Sequence, residues 1–142
     1  MSQLRHILYV EDSRTDALIM RECFAQSGFA CEIAIAEDGI KGLAILRREG
    51  AHAQAQRPDL VLLDLNLPRM HGAEVLREIR AMEGLRELPV VVFTTSKADE
   101  DVRQAYRLGA NCFISKPGDI DQSLEVVRAI TAFWFGIAKL PQ

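Results

Sequence analysis

Cysteine is scarce in this chain: Cys23, Cys31 and Cys112 are the only three among 142 residues. An odd number in apolar or helical surroundings argues against a disulfide framework, and the spacing fits no zinc site, so they read as reduced core thiols. No apolar run approaches the ~20 residues needed to cross a bilayer, and the uncharged stretch 129–138 is about half that length. Basic excess is missing as well. A net charge of -3 gives no footing for nucleic-acid binding. The amino-terminal residues 1–6 are followed too soon by Glu11 and Asp12 to hold a secretory apolar segment. A cytoplasmic protein with no membrane or nucleic-acid partner is expected. Repeats, low-complexity tracts and linkers are also lacking, so residues 1–142 read as one domain with a single continuous core.

What is present is an alternation. Short β-branched runs predict strands at 6–10, 31–36, 59–64, 89–94 and 111–115, and helical spacing of apolar residues predicts helices over 13–27, 38–48, 72–82, 98–108 and 119–135. Ser13 and Asp38 stand where helix N-caps are wanted, and Gly28, Gly84 and Gly109 follow helical segments as stop signals. Residues 49–58 are small and polar and read as a surface loop. Five strands alternating with five helices imply a parallel sheet covered on both faces.

Right-handed crossovers bring the carboxyl ends of parallel strands to one edge of the sheet, where α/β folds bind ligands. Reactive side chains stand at four of these ends: Glu11 and Asp12, then Asp64, Thr94 and Lys116. Three carboxylates within about 4 Å would repel one another by roughly 4 kcal/mol per pair at an effective dielectric of 20, so the cluster calls for a cation. Mg²⁺ suits it, because that ion takes hard oxygen ligands and commonly sits between carboxylates and phosphate oxygens. Beside it, Asp64 could attack a phosphoryl group in line, with Lys116 as a point charge and the Thr94 hydroxyl as a donor to the phosphoryl oxygens.

The acidic pair, Asp64 followed by Pro68 and Gly72, Thr94 closing the fourth strand and Lys116-Pro117 closing the fifth resemble the receiver domains of two-component response regulators over nearly the whole chain. The resemblance implies a flavodoxin-like doubly wound (βα)5 fold with strand order 2-1-3-4-5. It implies Asp64 as phospho-acceptor, and Mg²⁺ bound by Asp12, Asp64 and the Asn66 carbonyl with Glu11 assisting through water. It also implies a cis Lys116-Pro117 bond, Thr94 and Phe113 as switch residues, and Asn66 and Ser96 at positions that tune phosphate lifetime. The run 65–72, the tripeptide 94–96 and the ending 133–141 look like the stand-alone regulators paired with phytochrome histidine kinases, except that His71 replaces the aspartate common there. Partners implied are a histidine kinase, of phytochrome type, and an unidentified downstream protein reached by contact. Catalysis would be limited to the chain's own phosphorylation and dephosphorylation.

Other readings exist for each residue. Glu11 and Asp12 could cap the first helix, Asp64 could be a turn residue, Thr94 an ordinary strand residue, Lys116 a solvated strand terminus and Phe113 simple core. Their joint register favours the site. A chemotaxis-type or phosphorelay receiver serving another kinase fits the same motifs. A haloacid-dehalogenase-like phosphatase fits less well, since Asn66 occupies the place of its second aspartate. A pseudo-receiver acting by dimerisation alone conflicts with the intact reactive set. His6, His52 and His71 are isolated and read as surface or packing residues.

The last helix carries two apolar stripes, Ile120, Leu124, Val127 and Trp134 in one and Val126, Ile130, Phe133 and Ile137 in the other. Docking on a sheet requires one. The second, with Trp134 beside it, is expected to form a homodimer interface within residues 119–142, the alternative being a tail that folds back over it.

Overall fold

The computed structural model describes residues 3–141; Met1 and Ser2, where the amino-terminal reading begins, and Gln142 lie outside the described residues. Strands β1 (Arg5–Val10), β2 (Cys31–Ala36), β3 (Leu60–Leu63), β4 (Val90–Thr94) and β5 (Cys112–Ser115) alternate with helices α1 (Arg14–Ala25), α2 (Gly39–Arg47), α3 (Gly72–Ala81), α4 (Asp99–Arg107) and α5 (Ile120–Thr131). The sheet is parallel in the order β2-β1-β3-β4-β5, as expected. The strands β3 and β4 are buried along their whole length, which matches their unbroken apolar runs, whereas the edge strand β2 alternates between exposed and covered positions.

Four of the five helix starts are capped by side chains, α4 with Ala98 at its start being the exception. Ser13 Oγ accepts from the Asp16 amide at 3.2 Å, and Asp38 Oδ1 accepts from the Lys41 amide at 2.8 Å. Asp119 Oδ1 does the same for the Gln122 amide at 2.7 Å. His71 is the cap of α3, its Nδ1 accepting from the Ala73 amide at 3.1 Å. The loop 49–58 contains one 3-10 turn, Gly50–His52.

Apolar side chains fill both faces of the sheet. Leu8, Val10, Leu63 and Val92 pack with Leu43 and Leu46 of α2 and with Val75 and Leu76 of α3. On the other face, Tyr9, Leu62 and Phe93 pack with Met20 and Phe24 of α1 and with Val127 and Ile130 of α5. Cys23 is buried in this second layer, Cys31 and Cys112 are half-buried, and none of the three is in a disulfide.

The two stripes of the last helix are redistributed. Ile130, expected at an interface, is only 4% exposed and belongs to the core beside Val127, while Ile120, expected inward, is 60% exposed. The end of the helix departs from the expected stripes as well. After Thr131 the chain continues as a π-helical turn, Ala132–Ile137, closed by a 2.7 Å bond from the Ala138 amide to the Phe133 carbonyl. An i→i+5 turn winds more residues per turn than an α-helix and rotates the positions after it away from the expected stripe. Phe135 is drawn against the core with the Arg5 guanidinium 5.7 Å from its ring centroid, and Phe133 meets Trp134 edge-on at 5.1 Å. Phe133 and Ile137 stay exposed, at 51% and 76%. The tail thus folds back in part and leaves an apolar remainder uncovered.

Candidate functional site

Register alone brings the acids together. Val10 pairs with Leu63, so the residues that follow, Glu11 and Asp64, leave adjacent strands side by side, and the Asp64 amide donates to the Val10 carbonyl at 3.1 Å. Glu11, Asp12 and Asp64 each present a carboxylate oxygen within 4.8 Å of the others. Glu11 and Asp64 are buried and Asp12 faces solvent, so the cluster opens on one side. The chain doubles back so tightly after Asp64 that the Gly72 amide donates to the Leu65 carbonyl at 2.9 Å. A side chain at Gly72 would begin 2.2 Å from the Asp64 carbonyl oxygen, which explains the glycine.

Lys116 enters from the end of β5, its own amide donating to the Thr94 carbonyl at 2.7 Å. Its Nζ donates to Asp64 Oδ2 at 3.0 Å, to Asp16 Oδ2 at 2.9 Å, and to Glu11 Oε1 in a shorter contact. Burial by itself would lower the Lys116 pKa, but its hydrogen bonds to Glu11, Asp16 and Asp64 outweigh that and hold the ammonium charged well above ordinary lysine. The Glu11 carboxyl is pushed up, chiefly by burial, against the opposing pull of Lys116 and Tyr9. Tyr9, whose hydroxyl donates to Glu11 Oε1 at 2.8 Å, has its own pKa raised by burial and by the Glu11 charge.

The Lys116-Pro117 bond is trans, and no peptide bond among the described residues is cis. The expected cis bond is therefore corrected. Trans is the preferred isomer before proline by about 0.5 to 1 kcal/mol, and with it the lysine already reaches all three carboxylates.

The other expected residues lie around this centre. Thr94 is fully buried at the carboxyl end of β4, its Oγ1 accepting from the Ser96 amide at 3.5 Å. Asn66 is exposed on the rim, its amide donating to Asp64 Oδ1 at 3.3 Å. Ser96 is turned toward α4, its hydroxyl donating to Asp101 Oδ2 at 2.5 Å. Phe113 is half-buried against the first core layer, and its amide donates to the Tyr106 hydroxyl at 3.2 Å. Val126 and Trp134 are half-buried, and with Cys112, Ile114, Ala129, Ile130 and Phe133 they line a shallow apolar groove between β5 and α5. Two contributors escaped the reading of the sequence. Asp16, four residues after Asp12 on the first helix, could have been found by helical spacing; the role of Tyr9 had no comparable signal.

Three carboxylates, those of Glu11, Asp16 and Asp64, thus meet one ammonium, and Asp12 adds a fourth beside Glu11 and Asp64. The surplus negative charge and all-oxygen donor set suit a hard divalent cation, and Mg²⁺ fits the cluster. Among the described residues, no helix is long and apolar enough to cross a membrane.

Comparison with known proteins agrees with this geometry. Residues 7–128 match the model of the response regulator receiver domain. Response regulator Rcp1 of Synechocystis sp. is 39% identical over 135 residues, covering 95% of this chain and 92% of the relative. The crystal structure of the phosphorylated cyanobacterial phytochrome response regulator RcpA superposes with a TM-score of 0.94 at 41% identity, over 99% of this chain and 100% of that one. The Mn²⁺-bound form of Rcp1 superposes with a TM-score of 0.90 at 38% identity, over 97% and 99% of the two chains. The chain belongs to the response regulator receiver family.

Proposed function

We propose that this protein receives a phosphoryl group on Asp64 from the phosphohistidine of a histidine kinase of phytochrome type, and signals through contacts that change on phosphorylation. The observation that carries the proposal is the placement of a nearly buried Asp64 carboxylate between the Lys116 ammonium, at 3.0 Å, and the acidic oxygens of Glu11 and Asp12. An Asp64 oxygen attacks the phosphorus in line as the phosphorus–nitrogen bond breaks, and the electron pair returns to the leaving imidazole, which takes up a proton. Lys116 holds the acceptor in place and supplies positive charge to the transferring group. Thr94, at the carboxyl end of the strand between those of Asp64 and Lys116, would donate its hydroxyl to a phosphoryl oxygen. Asp12, Asp64 and the Asn66 carbonyl would hold Mg²⁺, with Glu11 acting through water. When bound, the ion offsets the charge of the phosphoryl oxygens. Hydrolysis of the acyl phosphate ends the signal, and by the family resemblance Asn66 and Ser96 occupy the positions that tune its rate.

The acyl phosphate carries about -1.5 to -2 charges where the free carboxylate carried -1, and the phosphoryl oxygens favour inward movement of Thr94 and coupled repacking of Phe113. The phytochrome pairing draws support from the likeness to RcpA, a cyanobacterial phytochrome response regulator. In this reading residues 1–142 act as one receiver unit in the cytoplasm, and residues 119–142 supply a homodimer interface. Exposed Phe133 and Ile137, bordering the groove of Val126 and Trp134, support that interface. Incubation with an autophosphorylated phytochrome histidine kinase tests the pairing. Transfer should be complete within minutes from that kinase and far slower from an unrelated one; equal rates from both would contradict it.

A further inference from the structure

Lys116 has no free donor. An ammonium carries three N–H groups, and here they go to Glu11, Asp64 and Asp16, all within hydrogen-bond reach. If Asp64 accepts a phosphoryl group as proposed above, an oxygen of that group can bind Lys116 only by displacing one of these partners. The three are not equally replaceable. The Glu11 side chain is 1% exposed and would be left as a buried, unpaired charge, and Asp64, 7% exposed, keeps a buried carbonyl oxygen in need of a donor once it is acylated, whereas the Asp16 side chain is 38% exposed. Water can take up what Lys116 releases there. A cleft of about 170 Å³, lined by Asp16, Phe93, Lys116, Pro117 and Asp119, opens beside the pair and gives the carboxylate room to turn away.

We propose that Asp16 is a positioning residue that occupies the third donor of Lys116 in the unphosphorylated protein and is exchanged for a phosphoryl oxygen when Asp64 is modified. It orients the lysine at rest and competes with the phosphoryl group for it. Its negative charge opposes the arriving anion as well, so both effects act in the same direction: removing the Asp16 carboxylate favours the phosphorylated state. This inference rests on the acceptor role of Asp64, and the two are separated by the measurements below.

Asp16→Ala, with Asp16→Glu as the conservative variant, provides the test. In metal-free protein, hydrogen exchange of the Lys116 ammonium, followed by nitrogen-15 NMR, should quicken several-fold in Asp16→Ala and return toward wild type in Asp16→Glu. With Mg²⁺ and acetyl phosphate, Asp16→Ala should label about two- to fivefold faster than wild type, the size of an exposed ion pair, and Asp16→Glu should label near the wild-type rate. Labelling of Asp16→Ala at or below the wild-type rate, or unchanged ammonium exchange, overturns the competition. An unlabelled wild type overturns the acceptor role itself and the exchange with it.

Discussion

Lys116 Nζ lies 3.0 Å from Asp64 Oδ2 although the two residues are 52 positions apart in the chain. The contact spans three neighbouring strands of the sheet, β3, β4 and β5, and both side chains are less than a tenth exposed. Replacing the lysine by methionine keeps its stem but strands the Glu11 and Asp64 carboxylates without a cation. Lys116→Met should lower stability in the absence of Mg²⁺ by about 3 to 5 kcal/mol, read from urea unfolding. Saturating Mg²⁺ should restore part of the loss, because the ion binds the same carboxylates only in the folded state. Undiminished stability without Mg²⁺ would mean that the carboxylates have other compensation.

Gly72 is the second constraint on Asp64. A methyl there would sit 2.2 Å from the Asp64 carbonyl oxygen and 2.6 Å from the Leu65 Cα, both backbone atoms with no rotamer to change. Gly72→Ala should destabilise the fold by at least the 1 to 3 kcal/mol typical of overpacking, and should slow labelling of Asp64 because the acceptor moves. Denaturant titration alongside phosphate incorporation checks both.

Tyr9 supports the site from beneath. Its buried hydroxyl donates to Glu11 Oε1, so Tyr9→Phe removes one donor from a buried carboxylate and leaves the ring packing against Phe93 intact. About 1 to 3 kcal/mol of stability should be lost on chemical denaturation. A loss near zero would show that water replaces the hydroxyl.

The exposed Phe133 and Ile137 bear on the dimer. The double variant Phe133→Glu, Ile137→Glu places two charges on the proposed interface while leaving the buried residues Val127 and Ile130 untouched. Its dimer dissociation constant should rise at least tenfold, about 1.4 kcal/mol, in sedimentation velocity, with the melting temperature close to wild type. A monomeric wild type, or a variant that dimerises equally well, contradicts the assignment.

Much of this was legible in the sequence, for reasons visible in particular residues. The strands β3 and β4 are buried on both faces, so their apolar runs were unbroken and the polar residues that end them, Asp64 and Thr94, stood out. Parallel pairing then required Glu11, Asp64 and Lys116 to converge. The last helix was harder to read because two apolar stripes at helical spacing look alike until a sheet selects one, and the π-helical turn after Thr131 shifts the register at its end. Asp16 lacked a strand-end position to mark it, and its contact with Lys116 depends on how α1 sits over the sheet. The isomer of the Lys116-Pro117 bond was an expectation from resemblance, and neither composition nor spacing encodes it.

The central claim is that Asp64 is the phosphoryl acceptor of a Mg²⁺-dependent site. Incubation with acetyl phosphate and Mg²⁺, followed by intact-mass measurement and borohydride trapping of the acyl phosphate, tests it most directly. A single phosphoryl adduct that maps to Asp64, disappears in Asp64→Asn and is abolished by EDTA is the predicted result. An equal adduct on wild type and Asp64→Asn, or one indifferent to EDTA, would contradict it.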